Sequence, residues 1–424
     1  LPPLVFAGEC DELRNRIAQA GAGNAFILQG GDCAETFDMV SANSIKASLR
    51  VLLSMAVVLT YAAELPVVKV GRIAGQYGKP RSSDFETRDN CTLPAYRGDA
   101  VNGYDFTAQA RAHDPERLLR MYNASAATLN LVRAFVKGGF ADMRAMHAWN
   151  ASFVRDSPVE VRYEQISAEI ERALGFMEAC GVQAETMRSV DYYASHEALL
   201  IDYEHAMTRI DSRSGIPYGT SGHMLWIGER TRQLTGAHVE LLRHVANPLG
   251  IKLGPQATGA EALAIAEKLD PDRIPGRISF ITRLGADKIR EVLPEIIETV
   301  ESSGRQVAWV CDPMHGNTFE TASGYKTRSY AAVVDELDGF FDVHELLGSW
   351  PAGVHIELTG DDVTECLGGA TRVSEADLQN RYESLCDPRL NRNQAMELAF
   401  MIAERLNVSS SARRTTLEPA DWDV

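Results

Sequence analysis

Short apolar runs rich in valine and isoleucine recur along the chain, each closed by glycine or by a charged or polar residue. They lie at 25–29, 66–72, 190–194, 224–228, 250–253, 278–282, 307–311 and 354–358. Continuous apolar runs of this length suit strands buried on both faces of a parallel sheet. Between them the apolar period lengthens. Segments 261–269 and 286–301 carry Ala, Leu, Ile and Val at helical spacing, and Asp270-Pro271 ends the first. A late helix over 393–406 presents Ala395, Leu398, Ala399 and Ile402. Residues 84–189 break the rhythm, turn-rich first and then helical over 115–138 and 157–179. They read as a helical insertion between the second and third strands. Eight strands alternating with helices predict a (β/α)8 TIM barrel, one catalytic domain over 1–408, with a flexible tail over 409–424 that Trp422 can dock. The alternative is an open doubly wound sheet. Against it, no G-x-G-x-x-G follows the first strand, and the chain has no G-x-x-x-x-G-K-[ST].

The unusual polar residues fall at or just past the strand ends. Gly30-Gly31-Asp32-Cys33 follows the first strand; Arg72 closes the second, with Lys79 and Arg81 beyond it. Ser195-His196-Glu197 follows the third, Glu229-Arg230 the fourth, and Lys252 lies in the fifth. Arg283 ends the sixth, Asp312 and His315 follow the seventh, and Glu357 ends the eighth. A barrel brings all of these to its C-terminal face, where catalytic groups belong. Ser195-His196-Glu197 is not a catalytic triad, because contiguous residues do not adopt that geometry, and is read as loop structure supporting the site.

Charge sharpens the meaning of the cations. Lys and Arg number 42 against 58 Asp and Glu, a net charge of −16. That excludes a general nucleic-acid binder, which needs a basic surface. Arg72, Lys79, Arg81, Arg230, Lys252, Arg283 and Lys326 nevertheless gather near one rim, and Lys252 and Arg283 interrupt apolar strands. Buried cations need anions, so phosphate and carboxylate ligands are implied, with internal ion pairs as the alternative. Cys33, His315, Glu357 and Asp387 share the same face. A thiolate, an imidazole and carboxylates suit a divalent transition ion such as Mn, Co, Fe or Zn. Taken singly, Cys33 also fits a small buried residue and His315 a loop histidine.

The most apolar run, 51–63, contains Ser, Thr and Tyr and is too short to span a bilayer. The Leu1-Pro2-Pro3-Leu4 start lacks the basic region of a signal peptide. Seven widely spread cysteines without Cys-x-x-Cys imply a reducing, cytoplasmic setting.

Several longer stretches carry a family resemblance. They are Leu28-Gln-Gly-Gly-Asp-Cys-Ala-Glu-Thr-Phe37, Val70-Gly-Arg-Ile-Ala-Gly-Gln-Tyr-Gly-Lys-Pro-Arg-Ser82 and Gly222-His-Met-Leu-Trp-Ile-Gly-Glu-Arg-Thr-Arg232. Asn247-Pro-Leu-Gly-Ile-Lys-Leu-Gly-Pro255, Trp309-Val-Cys-Asp-Pro-Met-His-Gly-Asn-Thr318, Thr364-Glu-Cys-Leu-Gly-Gly369 and Cys386-Asp-Pro-Arg-Leu-Asn391 complete the set. Together they resemble type II 3-deoxy-D-arabino-heptulosonate 7-phosphate (DAHP) synthases over nearly the whole chain. The resemblance implies a metal-dependent barrel that condenses phosphoenolpyruvate with erythrose 4-phosphate and opens the shikimate pathway. It implies Cys33, His315, Glu357 and Asp387 as ligands of one ion, Mn²⁺ or Co²⁺ first, with Zn²⁺ and Fe²⁺ as alternatives. It assigns Arg72, Lys79, Glu229, Arg230, Lys252 and Arg283 to phosphoenolpyruvate, Arg81 and Ser82 to the phosphate of erythrose 4-phosphate, and Asp312 and Lys326 to that second substrate. Lys79, Glu229, Asp387 and His315 are candidates for proton handling, and Lys252 and Arg283 for holding the leaving phosphate. If Asp387 is a ligand, Cys386 lies near Cys33, and oxidation is expected to join the two and expel the metal. Glu365-Cys366 is read as site support. The start near the first barrel element is similar to the family's shorter branch, without the extension that serves assembly and inhibition by aromatic amino acids. A homo-oligomer (dimer or tetramer) is expected, with a chorismate mutase as a possible partner. The rival readings are an amino-DAHP synthase and a silent barrel that regulates a partner.

Overall fold

The computed structural model describes residues 1–81, 83–138 and 190–416, with isolated positions between 161 and 176. Eight parallel strands close into a barrel. They are β1 (Phe26–Gly31), β2 (Val67–Arg72), β3 (Tyr193–Glu197), β4 (Met224–Ile227), β5 (Leu249–Leu253), β6 (Ile278–Thr282), β7 (Ala308–Cys311) and β8 (Pro351–Glu357). Each strand pairs with its sequence neighbour, and β1 closes the ring on β8 with Gly31 opposite Glu357. The expected (β/α)8 barrel is therefore present, and the open sheet is not.

Helix α1 (Ala7–Gly21) precedes β1 and crosses the N-terminal end: a Cβ at Gly21 would stand 3.2 Å from the Val307 carbonyl oxygen, just ahead of β7. The wall helices are α2 (Ala42–Ala63), α3 (Glu116–Lys137), α4 (Ile201–Met207), α5 (Ala237–Leu242), α6 (Gly259–Leu269), α7 (Ile289–Ser302), α8 (Tyr330–Leu347) and α9 (Arg392–Thr416). Thr258 starts α6 with a capping box, its hydroxyl accepting from Glu261 N while the Glu261 side chain accepts from Thr258 N. Apolar faces of α6 and α7 (Ile265, Leu269, Leu293, Ile296, Val300) join the strand side chains in one core.

Three elements differ from the sequence reading. The third strand is Tyr193–Glu197, not 190–194. Ser195 and His196 are tolerated inside because they find partners: Gln29 Nε2 donates to Ser195 Oγ at 2.9 Å, and His196 Nε2 meets Glu204 Oε1 at 2.7 Å. Helix α2 has 22 residues and is apolar and long enough to cross a membrane by length and composition. It is instead a wall helix: Leu52, Val58 and Leu59 join the core that holds β1, β2 and α9, and Leu49 and Leu53 join a second core with Met121, Leu129 and Val132 of α3. Helix α9 runs past position 409 to Thr416. In the insertion, a hairpin (Phe85–Arg88 with Cys91–Pro94) precedes α3. The helix expected over 157–179, Cys180, Ser82 and Trp422 fall outside the described residues, apart from isolated positions in that helix.

Candidate active site

The C-terminal ends of the strands surround a cavity of about 470 Å³. Of the expected residues, Arg72, Lys79, Arg81, Glu229, Arg230, Lys252, Arg283, His315, Lys326 and Asp387 line it. Cys33, Glu357 and Asp312 are fully or almost fully buried in its floor.

The floor begins at the Gly30-Gly31 step. Gly31 has φ +151, and a Cβ there would stand 2.6 Å from the Arg72 carbonyl oxygen. Glycine alone lets β1 and β2 come this close. Arg72 then donates Nε to the Asp32 carbonyl at 3.0 Å and Nη2 to the Cys33 carbonyl at 3.2 Å and to Glu357 Oε1 at 3.0 Å. Its Nη1 bonds His355 Nε2, whose Nδ1 donates to Gln29 Oε1 at 2.8 Å. Burial holds His355 well below the usual imidazole range, so it stays neutral and accepts. Four of the five guanidinium N–H groups thus serve the protein, which fixes Arg72 as a rigid cation.

Cys33 Sγ, a Glu357 oxygen and an Asp387 oxygen lie within 4.8 Å of one another. His315 Nε2 reaches Glu357 Oε1 at 3.0 Å but stands outside that mutually close trio. Its Nδ1 bonds Asp312 Oδ2 at 2.7 Å, which fixes the tautomer and aims Nε2 at the trio. A sulfur, an imidazole nitrogen and two carboxylates facing one point fit a divalent transition ion. Lys79 Nζ lies among the same acceptors, 2.9 Å from Cys33 Sγ, 2.7 Å from Asp387 Oδ2 and 3.4 Å from Glu357 Oε1. Arg328 Nη2 donates to Glu357 Oε2 at 2.7 Å, with both groups fully buried. Burial alone would raise the acids, but His315, Lys79 and Arg328 hold Glu357 well below the carboxylate range, and Lys79 does the same for Asp387. Burial lowers Lys79, yet Asp387, Cys33 and Glu357 push it well above its ordinary value. Cys386 lies in contact with Cys33, and both are free thiols. Burial, with the Cys386 contact, pushes the Cys33 thiol well above its ordinary value.

The cavity mouth is different. Among the described residues, Arg230 and Arg283 form no ion pair, and the Arg283 guanidinium donates only to the His315 carbonyl, at 2.8 Å. Arg81 makes a loose pair with Glu86 at 3.5 Å. Lys252 pairs with Asp312, and burial pulls its ammonium down to about 8 against that partner. Glu229 is engaged on both oxygens by Arg232 (2.9 and 3.0 Å) and accepts from Gly254 N at 2.7 Å.

Other residues lie outside the sequence expectation. Glu197, read as loop support, lines the cavity at the end of β3. Its Oε1 is buried with no hydrogen-bond partner among the described residues, and burial raises its carboxyl. Arg328 was legible in principle: it lies two residues from Lys326, on the same face of an extended segment. Three buried carboxylates pin the loops that carry the site. Glu35 accepts from the N–H groups of Ala74, Gly75 and Gln76 at 2.9, 2.9 and 2.8 Å. Glu336 accepts from Leu284 and Gly285, each at 2.8 Å. Glu365 accepts from Ser384 N at 2.9 Å and Arg389 N at 2.7 Å.

A closed parallel barrel with a donor set that could hold a divalent ion, beside arginines that lack internal anions, is the architecture of a barrel enzyme for anionic substrates. The chain belongs to the class-II DAHP synthetase family, whose model matches residues 1–403. It is 62% identical over 403 residues to phospho-2-dehydro-3-deoxyheptonate aldolase of Streptomyces coelicolor, covering 95% of this chain and 90% of that protein. The AroG protein of the same description from Mycolicibacterium smegmatis is 52% identical over 411 residues, covering 96% and 88%. Among solved structures, the DAHP synthase of Thermotoga maritima aligns over 92% of this chain and 70% of its own at 15% identity and a TM-score of 0.39. The family's reaction condenses phosphoenolpyruvate with erythrose 4-phosphate, giving DAHP and phosphate at the first step of the shikimate pathway, and this chain is an enzyme of that activity.

Proposed function

We propose that the two halves of the cavity divide this reaction between them, a reading carried by the contrast between paired floor and unpaired rim. Cys33, His315, Glu357 and Asp387 hold the metal, a divalent transition ion that suits a mixed thiolate, imidazole and carboxylate set, with Mn²⁺ or Co²⁺ first by the family resemblance. Bound there, the ion supplies Lewis acidity toward the aldehyde oxygen of erythrose 4-phosphate. Arg230, Arg283 and Lys252 bind the phosphate of phosphoenolpyruvate and keep hold of it as it leaves, while Arg72 and Lys79 face its carboxylate. Arg81 and Lys326, nearer the mouth, meet the second substrate. C3 of phosphoenolpyruvate attacks the aldehyde carbon, positive charge develops at C2, water adds there, and the C–O bond to phosphate breaks. Glu197 is the carboxylate that takes the proton of that water. It is buried, free on one oxygen and raised toward neutrality, whereas Glu229 is occupied by Arg232. A homo-oligomer and a chorismate mutase partner are supported by the resemblance alone, and a cytoplasmic location by the cysteine pattern.

The test follows the loss of phosphoenolpyruvate absorbance on adding erythrose 4-phosphate, after chelation and with Mn²⁺ or Co²⁺ restored. Metal-dependent turnover is expected, falling by about 10²-fold or more in Glu197→Gln with metal content unchanged. Turnover equal to the parent in Glu197→Gln would remove it from the mechanism. A preference for an amino-sugar phosphate would identify the amino variant of the reaction.

A further inference from the structure

One ammonium faces two tasks that it cannot perform together. Lys79 Nζ contacts Cys33 Sγ, Asp387 Oδ2 and Glu357 Oε1, the three acceptors gathered to hold a cation. The same side chain lines the substrate cavity between Arg72 and Arg81. Arg72 and Arg328 also touch Glu357, but they are locked by further bonds to the Cys33 and Pro388 carbonyls. Lys79 differs: its ammonium bonds side chains alone, on a flexible stem.

We infer that Lys79 is an exchangeable counter-cation that couples metal binding to substrate binding. A divalent ion and the ammonium compete for the same sulfur and carboxylate oxygens. Metal binding releases Lys79 toward the cavity, where the carboxylate of phosphoenolpyruvate takes it up. Phosphoenolpyruvate in turn draws Lys79 off the donors and tightens the metal, because linkage between two ligands is reciprocal. This rests on the proposed metal site.

The experiment measures Mn²⁺ and Co²⁺ affinity by competition with a chromophoric chelator, with and without phosphoenolpyruvate. The proteins are the parent, Lys79→Met, Lys326→Met and Cys33→Ala. Lys326 stands 3.6 Å from Asp387 Oδ1 and touches none of the other donors, so it controls for simple loss of positive charge. Phosphoenolpyruvate is expected to tighten the metal by about tenfold in the parent. In Lys79→Met the metal binds about tenfold tighter from the outset, and most of the coupling disappears. Equal gains in Lys79→Met and Lys326→Met, or full coupling without Lys79, would overturn the inference. So would a parent in which phosphoenolpyruvate leaves metal affinity unchanged, a measurement independent of whether any variant folds. If Cys33→Ala binds metal as the parent does, the metal-site reading fails instead.

Discussion

The floor and the mouth of one cavity handle charge in opposite ways. In the floor every charge has a partner: Glu357 meets Arg72, Arg328 and His315, Asp387 meets Lys79, and Asp32 meets Arg389 at 2.8 Å. At the mouth, Arg230 and Arg283 face the cavity without a carboxylate among the described residues. A paired floor is set before any ligand arrives, which suits a site that must fix geometry. The two unpaired arginines at the mouth keep their attraction for the substrates, which together bring two phosphates and a carboxylate. The net charge of −16 shows that these arginines owe nothing to a generally basic surface.

The contrast can be broken from the floor first. Cys33→Ala should abolish metal retention and lower kcat by about 10³-fold or more, read by metal analysis after gel filtration and by turnover. Arg328→Met should leave Glu357 buried without one partner, lowering unfolding free energy by about 3–5 kcal/mol in a denaturant titration. At the mouth the fold should be indifferent. Arg283→Ala should keep the parent's melting temperature while kcat/KM for phosphoenolpyruvate falls by about 10–100-fold. Lys252 gives the smallest signature. Its ammonium, pulled down to about 8, is charged below that pH and neutral above it, so kcat/KM should decline as pH rises through 8. The unfolded lysine keeps its proton to about 10.5, so between those values the unfolded chain binds more protons and the group's stability term rises with pH. Lys252→Arg should move the activity decline to higher pH.

The sequence shows these regions unequally. Seven strands are legible as apolar runs, and the residues past their ends can be read directly, because a barrel turns sequence position into a place on one face. The third strand is displaced by three residues, since Ser195, His196 and Glu197 interrupt its apolar run and the partner that buries Ser195, Gln29, lies 166 residues away. Glu197 is hidden by the same displacement. The loop-pinning carboxylates leave no periodic trace: Glu35 binds backbone N–H groups some 39 to 41 residues distant, and any sequence supplies backbone. Helix α2 is underestimated because Asn43, Ser44 and Lys46 in its first turns mask its full length.

Helix α2 also carries a consequence for how the chain is made. Its 22 residues leave the ribosome well before its partner α9 and the strand β8 that closes on β1. Until then a segment apolar enough for a lipid bilayer lacks its α9 cover. Closing the ring must await β8, far along the chain from its partner β1, which makes this a high-contact-order fold with a long vulnerable interval. Chains released before β8 and α9 should therefore accumulate as aggregates rather than as smaller folded barrels.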